Sequence, residues 1–246
     1  MRNHIIILVI LMTTCIYAQS TDPKDTEVWE PVPRIVEARV NTPPSDAIVL
    51  FNGNGADLNA WASTKTLGAP ADWLLVADNA MQVKAGAGDI VTREKFGSVQ
   101  LHLEFKTPEV VEGEGQGRGN SGVFFQNRYE VQILDSYNNK TYPNGQAAAI
   151  YKQHIPLVNA SRGPGKWQTY DIIFMAPSFN QDGIKVATGY FTVIHNGVLV
   201  QNHVEIYGTS EYIGMPKNIA HGNDVIKLQD HGNPMQFRNI WLRKLD

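Results

Sequence analysis

Alternating apolar and polar positions dominate this chain and predict β-strands. Over residues 98–106 every second residue is apolar, which places four side chains on one face of a strand: Val99, Leu101, Leu103 and Phe105. Similar runs bounded by Gly, Asn and Pro are found at residues 122–126, 129–135, 170–175, 190–195, 198–200, 225–228 and 236–244. Asn196 and Gly197 stand between two such runs and tolerate the positive φ of a tight hairpin turn. The pattern predicts an all-β sandwich or barrel.

The N-terminal residues predict export. Residues 1–18 have the order of a secretory signal peptide: a charged start, an apolar run at 5–12, and Ala18 before the cut. That run is shorter than the roughly 20 residues a membrane-spanning helix needs. We expect cleavage after Ala18, a secreted or periplasmic protein and no membrane span after cleavage. A retained membrane anchor and a lipid-modified Cys15 are the alternatives.

The remaining chain divides into a Pro-rich leader at residues 19–45 and one domain at residues 46–246. All-β sandwiches commonly reach roughly 200–250 residues as a single domain. The net charge of −3 and the lack of a Lys/Arg stripe exclude a nucleic-acid partner. Cys15 is the only cysteine, so a processed chain has neither thiolate catalysis nor cysteine-ligated zinc.

The strand at residues 129–135 is the most informative segment for function. Its alternation predicts a buried face with Tyr129, Val131 and Ile133, and a polar face with Glu130 and Gln132. Carboxylates and amides on a strand can match sugar hydroxyls as donors and acceptors. A solvated face of an edge sheet is the alternative interpretation.

Asp135 joins this polar row only if a bulge near Leu134 shifts the register. The resulting Glu-x-Gln-x-x-Asp run is similar in spacing to the Glu-x-Asp-x-x-Glu run of laminarinase-type glucanases, and departs from it at Gln132 and Asp135. A retaining glycosidase needs two carboxyl groups roughly 5–5.5 Å apart. The shorter Asp side chain argues against that mechanism here.

Two further segments carry candidate chemistry. The glycine-rich stretch 117–122 contains Arg118 and Asn120, and lacks the Gly-Lys-Ser/Thr ending of a phosphate-binding loop. Residues 228–234 contain Gln229 and His231, which suggest the rim of a site. His231 has no second His at metal-ligand spacing, so the metal signal is weak, and an oxygen-ligated divalent cation stays open. Aromatic residues, Trp167 and Tyr151 among them, could stack on sugars.

Together these segments resemble the 3-keto-disaccharide hydrolase domain family over roughly residues 46–246. The matching pieces are Leu50-Phe51-Asn52-Gly53 with Trp61, Leu101-His102-Leu103-Glu104-Phe105, Asn120-Ser121-Gly122-Val123-Phe124, Tyr129-Glu130-Val131-Gln132-Ile133-Leu134-Asp135, Ala149-Ile150-Tyr151, Trp167-Gln168-Thr169-Tyr170-Asp171, His195-Asn196-Gly197, Leu228-Gln229-Asp230-His231-Gly232 and Phe237-Arg238-Asn239-Ile240. The resemblance implies a concanavalin A-like jelly-roll sandwich of two antiparallel sheets. It also implies action on glycosides oxidised at carbon 3.

A ketone at carbon 3 acidifies the hydrogen on carbon 2, so cleavage can proceed by proton abstraction, loss of the substituent at carbon 1 and addition of water. This chemistry needs a base, an acid and a group that stabilises the enolate. We predict Glu130, His231 and Asp135 as catalytic residues, with Glu130 as base or acid, and Arg128 or a bound cation as the enolate stabiliser.

We predict that the partner is an oligosaccharide or another glycoside. The predicted substrate-binding residues are Arg118, Asn120, Gln126, Arg128, Gln132, Tyr151, Trp167, Gln229 and Arg238. Two rival hypotheses remain: a lectin-like module that binds sugar without cleaving it, and a conventional two-carboxylate glycoside hydrolase.

Overall fold

The computed structural model describes residues 22–38, 40, 42–66 and 68–245. The predicted signal peptide at residues 1–18 lies outside them. The chain divides into two compact units, residues 1–35 and residues 36–246. In the described part of the first unit, a 3-10 helix at Pro23–Thr26 begins after Asp22, whose Oδ1 accepts a hydrogen bond from the Lys24 amide. The side chains of Trp29 and Ile35 in this part are exposed.

The second unit is built from β-strands. Their bounds are β1 Ile48–Phe51, β2 Trp61–Ser63, β3 Leu74–Val76, β4 Ala80–Gln82, β5 Ile90–Thr92, β6 Val99–Lys106, β7 Asn120–Phe125, β8 Tyr129–Leu134, β9 Trp167–Met175, β10 Ser178–Phe179, β11 Lys185–Ala187, β12 Tyr190–His195, β13 Val198–Glu205, β14 Lys227–Leu228 and β15 Gln236–Lys244. Short 3-10 helices lie at Gly55–Ala60, Gly115–Gly117 and Pro143–Gly145. In the residues with an assigned structure, no helix is long and apolar enough to cross a membrane.

Two antiparallel sheets form the sandwich. The larger sheet has the order β13-β12-β9-β6-β15-β4-β3, and β1 pairs with another part of β15. The smaller sheet has the order β2-β5-β14-β7-β8, and β10 and β11 form a separate ribbon. The prediction of an all-β sandwich of two antiparallel sheets is confirmed.

The core lies between the sheets and follows from the alternation in the sequence. The four apolar residues of β6 are at most 1% exposed, as predicted: Val99, Leu101, Leu103 and Phe105. Phe125 on the smaller sheet contacts Phe174 on the larger one, with ring centroids 4.9 Å apart. Burying a large apolar side chain stabilises the fold by roughly 1.5–3 kcal/mol, so this layer fixes how the sheets pack.

The predicted hairpin turn is confirmed between β12 and β13. His195 pairs with Val198, and the two residues between them, Asn196 and Gly197, have φ of 52° and 81°. These positive values are those of a primed two-residue turn.

Candidate active site

A cleft of about 280 Å³ opens on the outer face of the smaller sheet. Its floor is the β7–β8 pair, and its walls come from four loops, which follow β6, β8, β13 and β14. The lining residues are Gln116, Asn120, Phe124, Glu130, Gln132, Tyr151, Ser210, Tyr212, Gln229 and His231.

Strand alternation places Glu130 and Gln132 in this cleft. Tyr129, Val131 and Ile133 belong to the hydrophobic core, so the residues between them must face the other side of the sheet. The β7–β8 register is regular, with Phe124 opposite Glu130 and Gly122 opposite Gln132. The carboxyl group therefore lies on the cleft face of β8, beside β7.

The Glu130 side chain is almost completely buried. It is 6% exposed, and burial raises its pKa to about 8, with the Asp89 carboxylate adding to this and the Lys227 ammonium opposing it. The carboxyl group is therefore mostly protonated at neutral pH and ionises just above it. The absence of a side chain at Gly122 makes room for it, because a Cβ there would lie 2.5 Å from Glu130 Oε1.

One end of the cleft is lined by fixed amide groups. Gln132 Nε2 donates to Asn120 Oδ1 and to Gln116 Oε1, both at 3.2 Å. Asn120 Nδ2 in turn donates to the Gln116 carbonyl at 2.6 Å. Gln132 Oε1 is a buried acceptor that receives no hydrogen bond from any described residue. Because an unsatisfied buried acceptor is costly, a ligand hydroxyl donating to it would be stabilising.

The turn that carries Gln229 and His231 is held by the backbone and side chains of β7. Ser121 Oγ donates to the Gln229 carbonyl at 2.8 Å. The backbone amide of Asn120 donates to Asn233 Oδ1, also at 2.8 Å. His231, between these anchors, is exposed at the mouth of the cleft.

The other end of the cleft is a cluster of tyrosines around an ammonium group. The Tyr142 and Tyr151 hydroxyls are 2.8 Å apart. Lys152 Nζ lies 5.6 Å from the centroid of each of their rings and 4.6 Å from that of Tyr212. It also donates to the Tyr212 carbonyl at 2.5 Å. The cleft thus has an amide end and a tyrosine end, which meet where Gln116 Nε2 donates to Thr141 Oγ1 and to the Gly145 carbonyl, and Glu130 lines the same cleft.

The structure does not bring Asp135 into the cleft. The β7–β8 pairing continues without a register shift to Leu134, so the bulge required by the prediction is absent. The Asp135 carboxylate is 2% exposed and pairs with Arg118, whose Nε lies 2.7 Å from Oδ2. Both residues line a separate hollow of about 110 Å³.

Four other predicted site residues also lie elsewhere. Gln126 Nε2 donates to the Phe96 carbonyl, and Arg128 Nη1 donates to Asp224 Oδ2 at 2.6 Å. Trp167 and Arg238 lie on β9 and β15 of the larger sheet, and the Arg238 guanidinium is 4.0 Å from the centroid of the Trp167 ring. Arg128 does not line the cleft, because its guanidinium binds Asp224. It is therefore not placed to stabilise an enolate there.

The cleft does bring together six of the predicted residues: Asn120, Glu130, Gln132, Tyr151, Gln229 and His231. It adds four that the sequence analysis did not select: Gln116, Phe124, Ser210 and Tyr212. Ser210 Oγ accepts a hydrogen bond from the Glu130 amide at 2.9 Å. The described residues contain no group of three or more His, Cys, Asp or Glu side chains that could hold a metal ion, and the cation stays an open prediction.

The molecule is thus an antiparallel β-sandwich with a polar cleft centred on one buried carboxyl group. Residues 46–243 match the model of the 3-keto-α-glucoside-1,2-lyase-like domain, and the chain belongs to this family.

A crystal structure of a candidate glycosyl hydrolase from Parabacteroides distasonis is 48% identical and superposes with a TM-score of 0.87, covering 91% of this chain and 97% of that one. Two more candidate glycosyl hydrolases from this organism show the same fold. One is 19% identical, covers 82% of this chain and 94% of its own, and has a TM-score of 0.59. The other is 23% identical, covers 75% of this chain and 99% of its own, and has a TM-score of 0.51. No curated protein sequence matches. The family and the first neighbour support a glycosyl hydrolase-like, carbohydrate-active domain.

Proposed function

We propose that this protein cleaves glycosides whose sugar carries a ketone at carbon 3. Cleavage begins when Glu130 removes the proton from carbon 2, continues with loss of the substituent at carbon 1, and ends with addition of water. The observation that carries the proposal is a single buried carboxyl group with a pKa of about 8, placed in a cleft whose other lining residues include amide and hydroxyl side chains. The family to which the chain belongs supports the choice of substrate.

The pKa of Glu130 suits a base for a ketone-activated C–H bond. A general base works best when its pKa lies near the operating pH, and proton transfer by a positioned side chain contributes roughly 10²–10⁴-fold to the rate. A carboxylate with a pKa of about 8 is a much stronger base than an ordinary Glu. The ionised fraction at neutral pH is small, so turnover by this base rises as the pH increases toward 8.

The amide end of the cleft suits the sugar ring. Asn120, Gln132 and Gln229 offer donors and acceptors that can orient its hydroxyls and its carbon-3 oxygen. Fixed amide donors stabilise a developing enolate by hydrogen bonding and replace the predicted role of Arg128. His231, at the mouth, is the group that exchanges the abstracted proton with solvent.

The two-carboxylate alternative is disfavoured by the geometry. Among the described residues that line the cleft, Glu130 is the only carboxylic acid. Asp135, the predicted second carboxylate, is paired with Arg118. A retaining mechanism would require a second carboxyl group roughly 5–5.5 Å from the first.

The experiment compares a 3-keto-glucoside with its unoxidised parent in deuterated water. We expect turnover of the ketone only, with solvent deuterium incorporated at carbon 2 of the product. Glu130→Gln should lower this turnover by roughly 10²–10⁴-fold. Glu205→Gln, the same change at an exposed strand position, is the matched control and should leave the rate unchanged.

Two results would contradict the proposal. Turnover of the unoxidised parent without deuterium at carbon 2 would favour direct hydrolysis. Sugar binding without turnover would favour the lectin-like module. A parallel reaction with a chelator tests whether a divalent cation takes part.

We also propose that the protein is exported after removal of residues 1–18. The order of charged, apolar and small residues supports this. Intact-mass measurement of protein recovered from a bacterial host should give an N-terminus at Gln19. A lipid on Cys15 or a retained Met1 would overturn it.

A further inference from the structure

The tyrosine end of the cleft holds a phenol proton for which the described residues provide no acceptor besides the paired tyrosine. The hydroxyls of Tyr142 and Tyr151 share one hydrogen bond of 2.8 Å. Each phenol has one proton, so the pair has two protons and one bond between them. When Tyr142 donates to Tyr151, the Tyr151 proton is free to be donated into the cleft.

Tyr151 is fixed beside Glu130 by the backbone. Its amide donates to the Glu130 carbonyl at 3.1 Å, its side chain is 9% exposed, and it lines the same cleft. Tyr142 is held in turn, because a Cβ at Gly145 would lie 2.0 Å from Tyr142 Cε2, which shows how closely this ring packs on the backbone. The ring of Tyr142 and the backbone of Tyr151 are therefore both held in place, and Tyr151 lines the cleft together with Glu130.

We propose that Tyr151 is the general acid that protonates the leaving oxygen on carbon 1, with Tyr142 as its positioning partner. The inference rests on the proposed function and divides the cleft by role. The sugar ring occupies the amide end, and the leaving group occupies the tyrosine end next to Tyr151, Tyr142 and Tyr212.

The elimination balances with these two groups. The electron pair of the C2–H bond first forms the enolate, while the proton goes to the Glu130 carboxylate. The C1–O bond then breaks, C1 and C2 become doubly bonded with the ketone restored, and the leaving oxygen takes the Tyr151 proton. The products are an unsaturated keto-sugar, a free alcohol, protonated Glu130 and a Tyr151 phenolate.

Addition of water returns both groups to their starting states. Water adds its oxygen to carbon 1 and gives a proton to the Tyr151 phenolate, and Glu130 returns its proton to carbon 2. Lys152, with its Nζ 5.6 Å from the ring centroids of Tyr142 and Tyr151, places a positive charge near the transient phenolate. Burial raises the pKa of Tyr151 above its ordinary value, so the resting phenol is protonated.

The test varies the leaving group. The probes are methyl and 4-nitrophenyl 3-keto-glucosides, since a methoxide needs a proton to depart and a 4-nitrophenolate does not. We expect Tyr151→Phe to lose roughly 10²–10⁴-fold on the methyl substrate and less than about tenfold on the 4-nitrophenyl substrate. Glu130→Gln should lose activity on both, because proton abstraction precedes departure of either group.

Tyr142→Phe is the matched control, as it removes the neighbouring hydroxyl and keeps the Tyr151 proton. Because Tyr142 acts through Tyr151, we expect this change to lower the rate on the methyl substrate by less than Tyr151→Phe does, and the rate on the 4-nitrophenyl substrate by less still. Equal losses of Tyr151→Phe on the two substrates, or no loss on either, would overturn the assignment of Tyr151. If the wild type converts neither probe, the proposed function itself is wrong, and the role of Tyr151 is overturned with it.

A second replacement keeps the test independent of folding. 3-Fluorotyrosine at position 151 preserves the shape of the ring and lowers the pKa of the phenol. If Tyr151 is the acid, the alkaline limb of the pH–rate profile measured with the methyl substrate moves to lower pH. An unmoved limb would refute the assignment.

Discussion

Replacing Glu130 by Gln should stabilise the folded protein at alkaline pH while it removes the base. Burial raises the pKa of Glu130 from 4.5 to about 8, so the folded chain holds a proton that the unfolded chain releases between these values. The free energy of unfolding contributed by this group therefore falls as the pH rises through that range and levels off above about 8. Gln has a similar shape and no titrating proton.

The size of the effect follows from the two pKa values. One pKa unit corresponds to 1.36 kcal/mol. Between about pH 5 and about pH 9, the shift predicts that the wild type loses about 4 kcal/mol of unfolding free energy relative to Glu130→Gln. Water entering the cleft as the carboxylate ionises reduces this figure, which is therefore an upper bound.

Urea denaturation of both proteins across this pH range measures the difference. All other titrating groups occur in both chains and cancel when one curve is subtracted from the other. Glu205→Gln provides the control, because its side chain is exposed and its curve should run parallel to that of the wild type. A constant difference between wild type and Glu130→Gln from pH 5 to 9 would show that Glu130 titrates normally and would refute the reasoning.

Three further predictions concern the surroundings of this residue and the core. Gly122→Ala should lower kcat at least about tenfold in steady-state kinetics, because the new methyl group would lie 2.5 Å from Glu130 Oε1 and must displace the carboxyl group that we propose as the base; a wild-type kcat would show that the carboxyl group adapts. Leu103→Ala, at a fully buried position, should cost about 2–5 kcal/mol in chemical denaturation, and a smaller loss would mean that the core collapses into the cavity. Arg118→Met should cost about 3–5 kcal/mol by leaving Asp135 buried without its partner; unchanged stability with a raised KM would instead support the predicted substrate contact.

The long strands could be predicted from the sequence because several periods of alternation fit within each. β6 has eight residues with a strictly alternating burial pattern, and the same regularity placed Glu130 and Gln132 on one face. Much of the smaller sheet gives no such signal. β2 and β5 have three residues each and β14 has two, and a period of two cannot be recognised over so few positions.

The predicted residues that lie outside the cleft do so for physical reasons of the same kind. Arg128 lies two residues before Glu130, so strand alternation predicts that both side chains face the same side of the sheet. Arg128, however, follows a turn in which Gln126 and Asn127 have positive φ, and its side chain is directed to Asp224. Trp167 was predicted from its residue type and Arg238 from the polar segment beside the last strand, and neither reveals which sheet a strand joins. Ser210 and Tyr212 come from an irregular loop in which no periodic pattern could have indicated them.

The positions of β14 and β15 determine when the molecule can assemble. β14 lies between β5 and β7, and β15 lies between β6 and β4, so each sheet is completed by a strand from the last quarter of the sequence. The hydrogen bonds that fix the cleft span 113 residues from Asn120 to Asn233 and 142 residues from Gly88 to Asp230. Such high contact order slows folding. During synthesis, a growing chain would carry unpaired strand edges until nearly all of it had emerged, and only then could the sheets and the cleft form together.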